Sequence, residues 1–214
     1  MNASSEVNLS ELELDALAEL VNIGVSQSAL SLALMVKEEV LLTVQKVDLL
    51  SREAAIRVLG ERAAKNLVAV HQVFEGDITG RALLIFPEDK SLELVRAVVG
   101  SELSLDEIIE LEQEALAETG NIILNGCLGT IANSLERNLK ISLPEVLHGE
   151  CQVFFNLAPP PDAGDTVLFI YINFSVRHRD IEGYIAMMMD LPSLAALKLL
   201  LAEYIRRETG TPAA

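Results

Sequence analysis

ELDALAELVNIGVSQSALSLAL, residues 13–34, and LEQEALAETGNIILNGCLGTIANSL, residues 111–135, carry one pattern twice. Each contains ALAE followed two residues later by Asn-Ile, so Glu19 matches Glu118 and Asn22 matches Asn121, both pairs 99 positions apart. The likeness resumes downstream. DITG at Asp77–Gly80 matches DIEG at Asp180–Gly183, 103 positions apart, and SLELV from Ser91 matches SLAAL from Ser193, 102 apart. A drift that small is what a few loop insertions leave behind, and a repeat of this length decides the architecture before any motif is weighed. The copies, about 10–100 and 105–206, span nearly the whole chain and predict a single domain over 1–214.

Within each copy the elements read alike. A helix from about Ser10 to Met35 opens the first, and SLDE, a capping box in which Ser104 is followed three residues later by a glutamate, starts the second copy's long helix. VLLTVQKVDLL (40–50) reads as a strand, and ECQVFFNLA (150–158) reads as its counterpart. LVAVHQVF and RALLIF around EGDITG form a predicted hairpin, matched by VLFIYINFSV and YIAMMM around RHRDIEG. Helices over Lys90–Val99 and Pro192–Arg206 close the copies, and PPPDAGD (159–165) reads as a surface turn. Strands arriving hairpin by hairpin, with helices gathered around them, predict an α+β domain. It is a pseudo-twofold duplicated domain whose mainly antiparallel sheet has about six strands, packed with two long helices and shorter ones.

Composition narrows the function. Half of the 214 residues are hydrophobic and 22% are charged, as in a globular protein. Thirty-two acidic against 16 basic residues, a formal charge of -16, argue against nucleic acid and against anionic membrane surfaces, and favour a protein partner that brings basic groups. The uncharged windows Leu20–Val36 and Thr119–Leu135 are each 17 residues and contain Asn, Gly and Ser, which fits buried helices better than membrane spans. The opening MNASSEVNLSELELD has neither the basic nor the apolar region of a secretory signal, so the expected location is the cytoplasm. Cys127 and Cys151 form no metal-binding spacing and read as packed, reduced thiols. His71, His148 and His178 lie far apart, and no GxSxG, HExxH or P-loop is present, which disfavours a hydrolase with its own nucleophile or metal.

The remaining polar signal is a stripe. Asp15, Glu19, Asn22 and Ser26 fall at i, i+4, i+7 and i+11 along one face of the first helix, and Glu114, Glu118, Asn121 and Asn125 repeat it in the second. An isolated Glu and Asn on a helix face would be ordinary solvated residues. Their recurrence in register, with asparagine a mediocre helix former, points to a polar task. An amide is too weak a base to take a proton near neutral pH, but it can orient a water by donating one hydrogen bond and accepting another. A carboxylate one turn away can accept a charge-assisted bond from a partner's lysine.

Asp or Ser, three residues, Glu, two residues, Asn, twenty-two residues, Pro: this spacing resembles the signature of the CheC and CheX chemotaxis phosphatases. Asp15, Glu19 and Asn22 fit its opening, and Glu118, Asn121 and Pro144 fit the second copy; Glu114 stands at the Asp/Ser position, and Gln45 at the first copy's proline position. The resemblance implies hydrolysis of the aspartyl phosphate of a CheY-type response regulator. In it, Glu19 and Glu118 dock the regulator through a lysine, while Asn22 and Asn121 position the attacking water. Asp15, Glu114 and Pro144 support the motif, and the missing proline is expected to alter how the strand after the first helix begins. The resemblance also implies no cofactor of the chain's own, magnesium being supplied by the regulator, and it offers the receptor deamidase CheD as a second partner. The alternative is a module that docks a response regulator or CheD without catalysis. Flagellar-switch proteins of the FliY type share the module but add a further C-terminal domain, so an end at TPAA favours the CheC form.

Overall fold

A computed structural model describes residues 7–62, 66–99, 104–156, 163–176 and 179–210. The long helices are α1 (Glu11–Val36) and α4 (Leu105–Ser134). Both begin in the same way. Ser10 Oγ accepts from Glu13 N at 3.3 Å while Ser10 N donates to the Glu13 carboxylate at 2.7 Å, and Ser104 with Glu107 repeats the exchange at 3.4 and 2.8 Å. Each box satisfies two backbone donors that a helix start leaves orphaned. The Ser104 hydrogen bonds to the ionised carboxylate also hold Glu107 below its usual pKa.

After α1 come β1 (Val40–Ser51), α2 (Arg52–Arg62), β2 (Leu67–Gly76), β3 (Gly80–Pro87) and α3 (Glu88–Val99). After α4 come β4 (Leu139–Ile141), β5 (Glu145–Gly149), α5 (Cys151–Asn156), β6 (Ala163–Val176), β7 (Arg179–Asp190) and α6 (Leu191–Thr209). One antiparallel sheet takes all seven strands in the order β1-β6-β7-β3-β2, with β4 and β5 both on the free edge of β2. The order is symmetric about the β7–β3 junction. Each hairpin carries, at its outer edge, the first strand of the other half, so neither half completes its sheet alone.

Side-chain alternation gives the sheet two buried faces. Val68, Val70, Ala82, Leu84, Leu168, Ile170, Ile185 and Met187 face α1, α3, α4 and α6. Their neighbours Leu67, Ala69, Leu83, Ile85, Phe169 and Ala186 face α2 and α5. Among the described residues α1 alone is long and apolar enough to cross a membrane, and here its Leu17, Leu20, Val21, Val25 and Leu32 are wholly buried in the core. The window Thr119–Leu135 likewise falls in α4 up to its C-cap, with Ile123, Leu124 and Cys127 fully buried.

One expectation needs correction. ECQVFFNLA is not a strand: Cys151–Asn156 is the short helix α5. Gly149, at φ 154°, turns the chain out of the sheet, and the next turn buries Phe154 and Phe155 completely beneath its second face. The strand that repeats β1 is instead β4 with β5, split at residues 142–144. The helix α2, not anticipated from the sequence, covers the same face through Ala55 and Leu59. Residues 159–162 of the expected PPPDAGD turn, residues 100–103 between the copies, and His178 lie outside the described residues.

Candidate functional site

The long helices cross at small residues. A Cβ on Gly24 would stand 2.6 Å from the Gly126 carbonyl oxygen and 2.8 Å from Cys127 Cα, and one on Gly126 would stand 2.0 Å from Ser28 Oγ. Ser28 Oγ donates to Gly24 O in its own helix at 2.9 Å and to Ile122 O of α4 at 3.1 Å, which ties the two helices together. With the inner faces locked, the outer stripe is left to the surface. Asp15, Glu19, Glu114 and Glu118 are exposed, and Asn22 and Asn121 are half-buried. Neither Glu19 nor Glu118 has an ion-pair or hydrogen-bond partner among the described residues, so both carboxylates stand free to receive a cation from outside.

Each asparagine lies over an interruption in the neighbouring strand. In β1 the register with β6 slips between Val44 and Lys46, a bulge at Gln45. Asn22 Oδ1 accepts from Val44 N there, at a long 3.5 Å. In the second half the interruption is complete: β4 ends at Ile141 opposite Phe74, and β5 resumes at Glu145 opposite His71. Pro144, which lacks an N–H, sits half-buried in that gap. The position of Pro144 and Gln45 is therefore a break inside a strand in both halves, not the beginning of one. Ser142 bridges the gap by accepting from Val73 N at its hydroxyl, 2.9 Å, and donating its N–H to Val73 O, 2.8 Å. Leu143 is pushed into solvent, 86% exposed.

The second asparagine sits in a network that sequence reasoning missed. Asn121 Oδ1 accepts from Asn125 Nδ2 at 2.8 Å and from Gln72 Nε2 at 3.1 Å. Gln72 Nε2 also reaches Ser142 O at 2.9 Å and Asn125 Oδ1 at 3.4 Å. Both acceptor directions of the Asn121 carboxamide are thus occupied, leaving its Nδ2 donors without a partner among the described residues. The chemistry open to this group is donation to a water or to an anionic oxygen. At Asn22 the acceptor side is held only by the long Val44 contact.

Other candidates fall away on geometry. Cys127 is fully buried and desolvation pushes its thiol up to about 12, so it holds no nucleophilic thiolate. Cys151 is half-buried, with its thiol 3.8 Å from Ile56 O, and both cysteines are free. His71 is buried on β2 with Nδ1 3.6 Å from the Glu145 carboxylate. No group of three or more His, Cys, Asp or Glu able to hold a metal occurs among the described residues.

Comparison with known proteins adds independent findings. Residues 68–153 match the family model described as chemotaxis phosphatase CheX, a span that holds all of β2 but its first residue, α4, Asn121, Gln72 and Pro144. In sequence the chain is 28% identical over 141 residues to the CheY-P phosphatase CheC of Bacillus subtilis (strain 168), covering 64% of this chain and 67% of that one. In fold it is similar to FliY of Thermotoga maritima, TM-score 0.71 at 16% identity, covering 92% of this chain and all of that one. It is also similar to the FliM middle domain of H. pylori, TM-score 0.57 at 12% identity, covering 90% and 99%.

Proposed function

We propose that the chain is a protein of the CheC/CheX/FliY type and that it hydrolyses the aspartyl phosphate of a CheY-type response regulator at two centres, Glu19 with Asn22 and Glu118 with Asn121. The observation that carries the reading is the pairing of a free carboxylate with an inward asparagine whose amide donors are unspent, once on each long helix. The -16 charge of the chain favours a partner that offers a lysine to Glu19 or Glu118. Docked in that way, the regulator carries its phosphoryl group towards the asparagine.

An acyl phosphate is already activated, so the chain's task is placement. The Asn121 Nδ2–H groups hold a water through one lone pair of its oxygen and leave the other aimed at phosphorus. As the water oxygen bonds to phosphorus, the bond from phosphorus to the aspartyl oxygen breaks. The electron pair returns to the regulator's carboxylate, and the water's proton leaves with the phosphate or to solvent. The magnesium that compensates the phosphoryl charge belongs to the regulator, and the chain supplies no cofactor. This reading places the protein in the cytoplasm, where such regulators act.

The test is direct. A CheY-type regulator is charged with acetyl phosphate and Mg²⁺, the donor is removed, and loss of the phosphoryl group is followed with wild type, Asn22→Ala, Asn121→Ala and the double variant. Acceleration that falls by about 10²-fold in the double variant, the size expected when a positioned donor is removed, supports the reading. A folded wild type that accelerates none of the cognate regulators overturns it and leaves docking without catalysis, to a regulator or to CheD.

A further inference from the structure

We propose that Gln72 is a positioning residue that holds the Asn121 carboxamide with its donors outward, and that this makes the second centre the better organised of the two. The proposal rests on the phosphatase reading above and adds to it a residue on another element, 49 positions away in the chain.

Gln72 is wholly buried in β2, on the face that turns towards α1 and α4, where its inward neighbours are Val68, Val70 and Phe74. An amide in such a place is costly unless all its groups are paired. Its Nε2 is paired generously, with Asn121 Oδ1, Ser142 O and, more distantly, Asn125 Oδ1. Its Oε1 is buried with no partner among the described residues. Folding alone gives little reason to keep this residue, since an apolar side chain of the same length would lose the Nε2 bonds but also remove the orphaned oxygen. What Gln72 contributes is direction. Its N–H and that of Asn125 occupy both acceptor positions of Asn121 Oδ1, so the side chain cannot flip its NH₂ inward without setting donor against donor.

The first centre has no such clamp. Phe74 pairs with Ile141 as Phe174 pairs with Leu42, and His71 pairs with Glu145 as Tyr171 pairs with Lys46. This register puts Ile172 at the first centre where the second centre has Gln72. Ile172 is buried, pairs with Val44, and offers the Asn22 carboxamide no hydrogen bond. Asn22 is therefore held only by its long contact with Val44 N.

The experiment is a double-variant cycle with Gln72→Leu, and Gln72→Met as a second apolar replacement, read with a CheY-type regulator charged by acetyl phosphate and Mg²⁺. In an Asn22→Ala background, where turnover comes from the second centre, we expect either replacement to lower kcat about tenfold with KM unchanged, the upper end of what a neutral hydrogen bond contributes. In an Asn121→Ala background the same replacement has nothing left to orient and adds no further loss. The urea midpoint changes little, because the loss of the Nε2 bonds and the removal of an orphaned buried oxygen offset one another. Side-chain amide resonances give a readout independent of turnover: the Asn121 NH₂ pair moves towards the position of a freely rotating amide. Turnover unchanged in the Asn22→Ala background overturns the proposal and leaves the phosphatase reading standing. Losses in both backgrounds together with a lower urea midpoint also overturn it, since they mark a purely structural residue. A wild type inactive on every cognate regulator overturns the reading and the proposal with it, whatever the amide resonances do.

Discussion

Gly120 of α4 lies directly on Val70 of β2, and a Cβ added to the glycine would stand 2.5 Å from both Cβ and Cγ1 of the valine. The glycine just before Asn121 thus has a mechanical purpose. It lets the helix settle onto the sheet closely enough for Asn121 to meet Gln72 at 3.1 Å. Valine is stiff at χ1 and cannot swing aside, so Gly120→Ala must lift α4. Overpacking costs about 1–3 kcal/mol, against about 1 kcal/mol gained in helix propensity. We expect a net loss of up to about 2 kcal/mol by urea denaturation. Turnover by the second centre should fall further than that loss explains, with the first centre, measured in an Asn121→Ala background, changed far less.

How far the sequence shows this arrangement depends on how local each signal is. The long helices, both hairpins and the α+β class are legible because period and turn chemistry are written within a few residues, and the repeat supplies the partner of each element. The strand split at Ser142–Pro144 is not: its pieces, Leu139–Ile141 and Glu145–Gly149, are too short to show alternation, and the aromatic run Phe154-Phe155 imitates a strand. The Glu and Asn pairs are legible because they recur. Gln72 had one signal, a single amide breaking the inward set Val68, Val70 and Phe74, but its meaning depends on a helix 49 positions away.

The crossing of the two long helices offers a contrast among glycines. At Gly24 an added methyl would press on the Gly126 carbonyl at 2.6 Å and on Cys127 Cα at 2.8 Å, both backbone atoms that cannot rotate away. At Gly129, on the same helix as Gly126, nothing lies within 4 Å. Gly24→Ala should destabilise by up to about 2 kcal/mol, the overpacking cost less the gain in helix propensity. Gly129→Ala should stabilise by about 0.5–1 kcal/mol, from lower unfolded-chain entropy and better helix propensity. Urea midpoints of the two variants check the sign of each.

His71 gives stability a pH dependence. Desolvation lowers its pKa below the ordinary 6.5; the hydrogen bond from Glu145 opposes this, Arg81 adds to it, and the Glu145 charge opposes it. A base whose pKa is depressed by folding binds more protons when unfolded, so its contribution is fully present above 6.5 and is lost as pH falls from there through the folded-state pKa. We expect unfolding free energy, measured by urea titration at several pH values, to decline on acidification from 6.5. In His71→Gln this part of the decline should disappear. A decline equally steep in the variant would assign the effect to the carboxylates instead.

Glu19 and Glu118 are expected to act before the chemistry, and kinetics can show this. Both carboxylates are exposed and unpaired among the described residues, so replacing either leaves no buried charge stranded and should leave stability within about 0.5 kcal/mol of wild type. Each is proposed to receive a lysine of the regulator, a charge-assisted contact of about 1.5–3 kcal/mol. Reversal by Glu118→Lys in an Asn22→Ala background should therefore cut kcat/KM by at least about tenfold, chiefly through KM. Added salt should narrow the gap between wild type and variant, because screening weakens attraction and repulsion alike. An effect confined to kcat would make Glu118 part of the hydrolytic step, and an effect insensitive to salt would remove the lysine from the argument. Glu19→Lys in the Asn121→Ala background provides the same measurement for the first centre, where the looser hold on Asn22 should give lower kcat with a similar KM.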